Sequence, residues 1–212
     1  MSAKNSAGSV RVYKGQSSTA RLMVVILTSA IYGVGLWVTS FLPTIPGITW
    51  IRPANVLSEL FAVCFGYWGC LAAPIGDAMS NILKGSFTLT SIWWVSAIEF
   101  VCTAAIVFWG VSDPSLKSLR GKIEWILFAV IAQGLLTGFG IALGLCLQGS
   151  APWEMFKTIG WTITLNEAIP ALVALPIQRY LVFPAIVRMG WWWGRDLEKS
   201  RVPKDYLAEV QG

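Results

Sequence analysis

Four carboxylates, Glu59, Asp77, Glu99 and Glu167, lie within otherwise apolar stretches of this chain of 212 residues. Charge is costly in hydrocarbon, so a carboxylate there either lines a cavity for a polar ligand or ion, or pairs with a base or another helix. Two of the acids have an amide one helical turn away: Asn55 precedes Glu59 by four residues and Asn81 follows Asp77 by four. That spacing puts each pair on one helix face. Arg52 and Lys84 bracket the same stretch and are plausible counter-charges. Trp50, Trp93 and Trp94 sit at the ends of apolar runs, where tryptophan is first an interfacial anchor and second a stacking wall for a flat ligand. Asn166 falls one turn before Pro170, whose missing N–H frees a carbonyl that protein or a water-lined cavity must satisfy.

This inventory suits binding rather than bond breaking. The chain has no histidine, and Cys64, Cys70, Cys102 and Cys146 occur singly in apolar segments, without metal-site spacing. Neither a phosphate-cradling G-x-x-x-x-G-K-[ST] nor the hydrolase patterns G-x-S-x-G and H-E-x-x-H occur, so no enzyme, metal or cofactor is expected.

The elements that carry these groups must be membrane helices. A hydrophobic fraction of 55%, charged residues at 13% and a mean hydropathy of +0.63 exclude an ordinary soluble domain. The expected class is an all-α polytopic membrane protein of about six spans. Thirteen of the sixteen basic residues fall at the amino terminus up to Arg21, between Ser112 and Lys122, or from Arg179 onward. The positive-inside rule places these three regions, and both termini, in the cytoplasm, and leaves nucleic acid a poor partner. Clear spans are expected at 22–42, 92–111, 125–147 and 158–178.

Residues 53–83 are the exception. Their 31 residues would make one helix of about 46 Å against a hydrocarbon core of about 30 Å. The Gly66-Tyr67-Trp68-Gly69 step should break it into helices at 54–65 and 68–83. With cytoplasmic basic regions on both sides, this hairpin must cross twice or re-enter without crossing; two crossings give six in all. Around it we expect a cytoplasmic tail at 1–20, a transmembrane domain at 21–185 and a cytoplasmic interfacial tail at 186–212. Ser29, Ala30 and Gly33 give the first span a small-residue face, for packing within the chain or for a partner helix. Gly134/Gly138 and Gly140/Gly144 give the helix at 125–147 two more close-approach spacings.

Taken together, Ile51-Arg52-Pro53-Ala54-Asn55, Gly66 and Gly69, Gly76-Asp77 and the run from Asn166 to Pro170 resemble the substrate-binding membrane subunits (S components) of energy-coupling factor (ECF) transporters. The resemblance covers about residues 22–193. It implies a six-helix protein of a prokaryotic plasma membrane that captures a vitamin or related micronutrient from outside. A transmembrane coupling subunit and two ATPases then topple the loaded subunit and release its cargo inside. In that family a small-residue motif on the first helix, usually of alanines, contacts the coupling subunit; Ser29, Ala30 and Gly33 stand in its place here. The resemblance puts Trp50, Arg52, Asn55, Trp93, Trp94, Glu99 and Asn166 around the ligand, and the carboxylate argument adds Glu59, Asp77 and Asn81. Two other classes fit the bare sequence: an ion-coupled carrier acting alone through Glu59, Asp77, Glu99 or Glu167, and a ligand-free scaffold organised by its GxxxG faces.

Overall fold

The computed structural model describes residues 17–41, 52–85, 89–189, 191 and 193. Among these every regular element is helical. Helix α1 (Ser18–Thr39) begins where the Ser17 hydroxyl accepts the Ala20 amide at 3.2 Å, an N-cap that satisfies one of the free first-turn donors. A 3-10 turn (Pro53–Asn55) leads into α2 (Val56–Phe65), followed by α3 (Tyr67–Cys70) and α4 (Ala72–Leu83). Next come α5 (Leu89–Ile98), α6 (Ile106–Gly110), α7 (Leu119–Trp125), α8 (Gln133–Leu147), α9 (Phe156–Ile177) and α10 (Phe183–Arg188). Wide π-helical turns join α5 to α6 (Glu99–Ala105), α7 to α8 (Ile126–Ala132) and α9 to α10 (Gln178–Val182), so each pair forms one rod.

Among the described residues four helices are long and apolar enough to cross a membrane: Ser18–Thr39, Trp93–Gly110, Leu119–Leu147 and Trp153–Arg188. Large apolar side chains such as Ile26, Ile31, Val34, Leu136 and Leu172 point outward from them. The last rod contains the expected span at 158–178 with Pro170 and Pro176, and continues beyond it through the π turn to Arg188. At 36 residues it is about 54 Å long, well beyond one bilayer core.

The hairpin breaks where the sequence requires it. Gly66 takes φ 60° and ψ −142°, a backbone open to glycine and strained for other residues. Gly69 is equally constrained, since a Cβ there would lie 1.9 Å from the Phe61 carbonyl oxygen. Neither limb alone matches a hydrocarbon core: Pro53–Phe65 rises about 20 Å and Tyr67–Leu83 about 25 Å. Their depth follows from their partners. Arg21 lies 5.6 Å over the Trp68 ring, Gly33 packs on Gly76, and Ser40 and Lys84 line one cleft, so α3 and α4 run alongside α1 in the same direction. Helix α2 runs the other way, with Ala54 beside Leu36 and Phe65 beside Val24. The hairpin tip therefore reaches the start of α1. We call that the tip end, and the end with Ser40, Arg52 and Lys84 the mouth end.

Glycines set the remaining contacts. Gly134 and Gly138 let α9 approach α8, whereas Gly140 and Gly144 receive Ile98 and Trp94 of α5. The two GxxxG spacings thus serve two different neighbours within the chain. At the tip end the segment before α7 is tied down. The Asp113 carboxylate accepts the backbone amides and hydroxyls of Ser115 and Ser118, and Leu116 is fully buried at φ 52°. Gln178 and Arg179 donate to the carbonyls of Pro114 and Leu116, each at 3.0 Å. Trp193 is buried: its amide donates to the Cys64 carbonyl, and its ring meets Phe65 edge-on at 5.7 Å. This corrects the expectation that the chain near Trp191–Trp193 lies wholly in an interfacial layer; Trp191 is exposed, but Trp193 belongs to the core under the hairpin.

Candidate functional site

The polar side chains that helical spacing places on α2, α4, α8 and α9 converge near the middle of the bundle. Glu167 of α9 is the hub. Its Oε1 accepts Nδ2 of Asn55 at 2.7 Å, and its Oε2 accepts Nε2 of Gln133 at 2.8 Å. The Asn55 side-chain Oδ1 in turn accepts the Tyr32 hydroxyl at 3.3 Å. Side chains from α1, the turn before α2, α8 and α9 are thereby joined, all of them buried. Such links persist because a buried polar atom without a partner costs about 1–3 kcal/mol.

Glu59, one turn beyond Asn55, is completely buried, and neither of its carboxyl oxygens has a hydrogen-bond partner. Glu99 opens the π turn between α5 and α6, also buried, with Oε2 unpartnered. Asp77 accepts Nδ2 of Asn81 at 2.9 Å. The acids form one electrostatic neighbourhood, since Glu59, Asp77 and Glu167 all act on Glu99. The positive charge of Arg52 acts on Asp77, Glu99 and Glu167, and that of Lys84 on Asp77.

Above this cluster, at the mouth end, Leu36, Thr39, Ser40, Arg52 and Lys84 line a cleft of about 170 Å³. Partial burial, and then the positive charge of Arg52, hold the Lys84 ammonium below its ordinary range, while Asp77 pulls the other way. The mouth is basic and the interior acidic.

Of the residues expected at the site, Arg52, Asn55, Glu59, Asp77, Asn81 and Glu99 belong to this neighbourhood. Asn166 is buried on α9 next to Glu167. Trp50 lies outside the described residues. The tryptophan pair goes elsewhere: Trp93 is 80% exposed, and the Trp94 indole donates to the Gly140 carbonyl at 2.8 Å with its ring on Gly144. Neither joins the hydrogen-bonded cluster. Ser29 and Gly33 are buried against Gly76 of the same chain, with Ala30 half-buried beside them, so this small-residue face is filled by α4.

Tyr32 and Gln133 were not among the residues expected around a ligand, and Glu167 was expected only as a coupling acid of the carrier reading. Glu167 carried a usable signal, because an acid in a span demands a partner more strongly than the neighbouring Asn166 does. Gln133 carried a weaker one, and Tyr32 none. No family model matches this chain, and neither curated proteins nor solved structures yield a significant match.

Proposed function

We propose that this chain is the substrate-binding membrane subunit of an ATP-driven uptake system. It sits in a prokaryotic plasma membrane with six crossings, both termini in the cytoplasm and the mouth end outside. There it captures a vitamin-like small molecule and passes it inward with a transmembrane coupling subunit and two ATPases. The observation that supports this most is the polar cluster held by four parts of the fold beneath a cleft at Arg52 and Lys84. Ionisable groups buried in a membrane bundle mark substrate or ion paths, and a site between helices with a few convergent polar groups is the usual form of a small-molecule pocket. The resemblance of the 51–55, 66–69, 76–77 and 166–170 motifs to S components supplies the partners.

The test is native mass spectrometry of the protein purified from its own host in mild detergent. Uptake predicts a retained small molecule and co-purifying ATPase-bearing partners. Protein found only with other membrane proteins, and with no small molecule, would replace this reading with a scaffold. The four buried acids also favour a second reading, an ion-coupled carrier working alone. Uptake abolished by a protonophore while cellular ATP is intact would select it.

A further inference from the structure

We propose that the acidic cluster recognises the protonated nitrogen of an organic cation, an amine, amidine or guanidine. This rests on the capture reading above and gives its substrate class.

The argument is one of donors and acceptors. Three amides donate to two of the acids: Asn55 and Gln133 serve Glu167, and Asn81 serves Asp77. Glu59 Oε1 and Oε2, Glu99 Oε2 and Gln133 Oε1 remain buried without a partner. All four are oxygen acceptors. Buried polar atoms nearly always find a partner, in the protein or in something bound to it.

Residue type points the same way. Four acids, Glu59, Asp77, Glu99 and Glu167, stand against two basic groups, Arg52 and Lys84, and the basic pair stands at the rim. Among the described residues no three acids, cysteines or histidines come close enough to hold a metal ion. Acceptors spread over several helices suit a multi-donor nitrogen cation, which makes separate N–H contacts and is stronger for being charged. The rim cations then set the order of approach, with the positive end of the solute innermost, below Asp77.

The experiment is thermal unfolding of the full chain in detergent with a matched panel: agmatine and putrescine as cations, 1,4-butanediol as the neutral analogue and succinate as the anion. Each is added at millimolar concentration. Agmatine or putrescine should raise the melting temperature in a dose-dependent way, and butanediol and succinate should not. Glu59→Gln and Glu99→Gln keep shape while removing charge, and each should weaken the cation effect about tenfold relative to its own baseline. The proposal is overturned if neither amine stabilises the protein, or if both variants respond like the wild type. Stabilisation by succinate or butanediol in place of the amines also overturns it, but leaves the capture reading standing. Amine binding that depends on Glu59, in a protein that retains no partners and supports no uptake, would keep the site and remove the capture role.

Discussion

Single side chains divide into those that hold the bundle and those that face its opening. Asn55 reads from sequence as a mouth residue, yet it is almost wholly buried and bridges Tyr32 to Glu167. Asn55→Ala should therefore lower stability by about 1–3 kcal/mol, because the Glu167 carboxylate loses a donor it cannot replace. Arg52 is only half-buried at the rim, so Arg52→Ala should leave the unfolding transition within about 0.5 kcal/mol of wild type while weakening retention of the bound small molecule. Tryptophan fluorescence melting, paired with mass spectrometry of the retained molecule, reads both effects. Equal destabilisation by the two substitutions would remove this division of roles. The acids were legible because charge within an apolar run is itself the signal. The choice between Asn166 and Glu167 was not, since neighbours on a helix point about 100° apart and only the packing of α8 shows which way α9 faces. The fate of Trp94 was hidden for a similar reason, its partner Gly140 lying 46 residues along the chain.

Among the elements, contact distance rather than helix propensity sets how much change each can bear. A Cβ on Gly138 would sit 2.3 Å from the Thr164 hydroxyl and 2.5 Å from the Gly160 carbonyl, whereas on Gly134 the nearest atom is 3.2 Å away. Gly138→Ala should cost about 1–3 kcal/mol by forcing α8 from α9, and Gly134→Ala clearly less. Similar melting temperatures for the two would mean that the helices separate freely. Gly33→Leu should likewise disrupt the α1–α4 pair, since even a Cβ would lie 2.8 Å from the Gly76 carbonyl. A variant as stable as wild type would show that this face has room for a second occupant. The glycine spacings and the break at Gly66 could be read in advance because glycine has few other uses at such positions. The π turns could not. They open at Glu99, Ile126 and Gln178, residues with no common chemistry, and no periodicity announces that.

Over the whole molecule, alternating rod directions bring Gly85 and Gly149 to the mouth end and Lys117 to the tip end. Cysteine placed at Gly149 should react with an impermeant maleimide in intact cells, and cysteine at Lys117 only after permeabilisation. Tyr67→Cys, at the exposed hairpin tip, should follow Lys117 if the hairpin crosses fully. Labelling of Tyr67→Cys from outside would make it a shallow re-entrant loop and reduce the crossings to four. The four long apolar helices were accessible from hydropathy, but their register was not, because it depends on contacts between distant segments. One such contact also sets a timetable. Asn55 and Glu167 are 112 residues apart; at about 5–20 residues per second a ribosome makes one roughly 6–20 s after the other. For that interval the nascent protein must keep the Asn55 amide and the Glu59 carboxyl in the bilayer without the partner helix. A half-made chain is thus marked by its own polarity for insertion factors and membrane proteases. Chains ending at Gln148 should be cleared faster in a pulse-chase than the full-length protein, and replacing both Asn55 and Glu59 by leucine should prolong their life. The cluster proposed as the recognition site of the finished molecule is, during synthesis, its principal hazard.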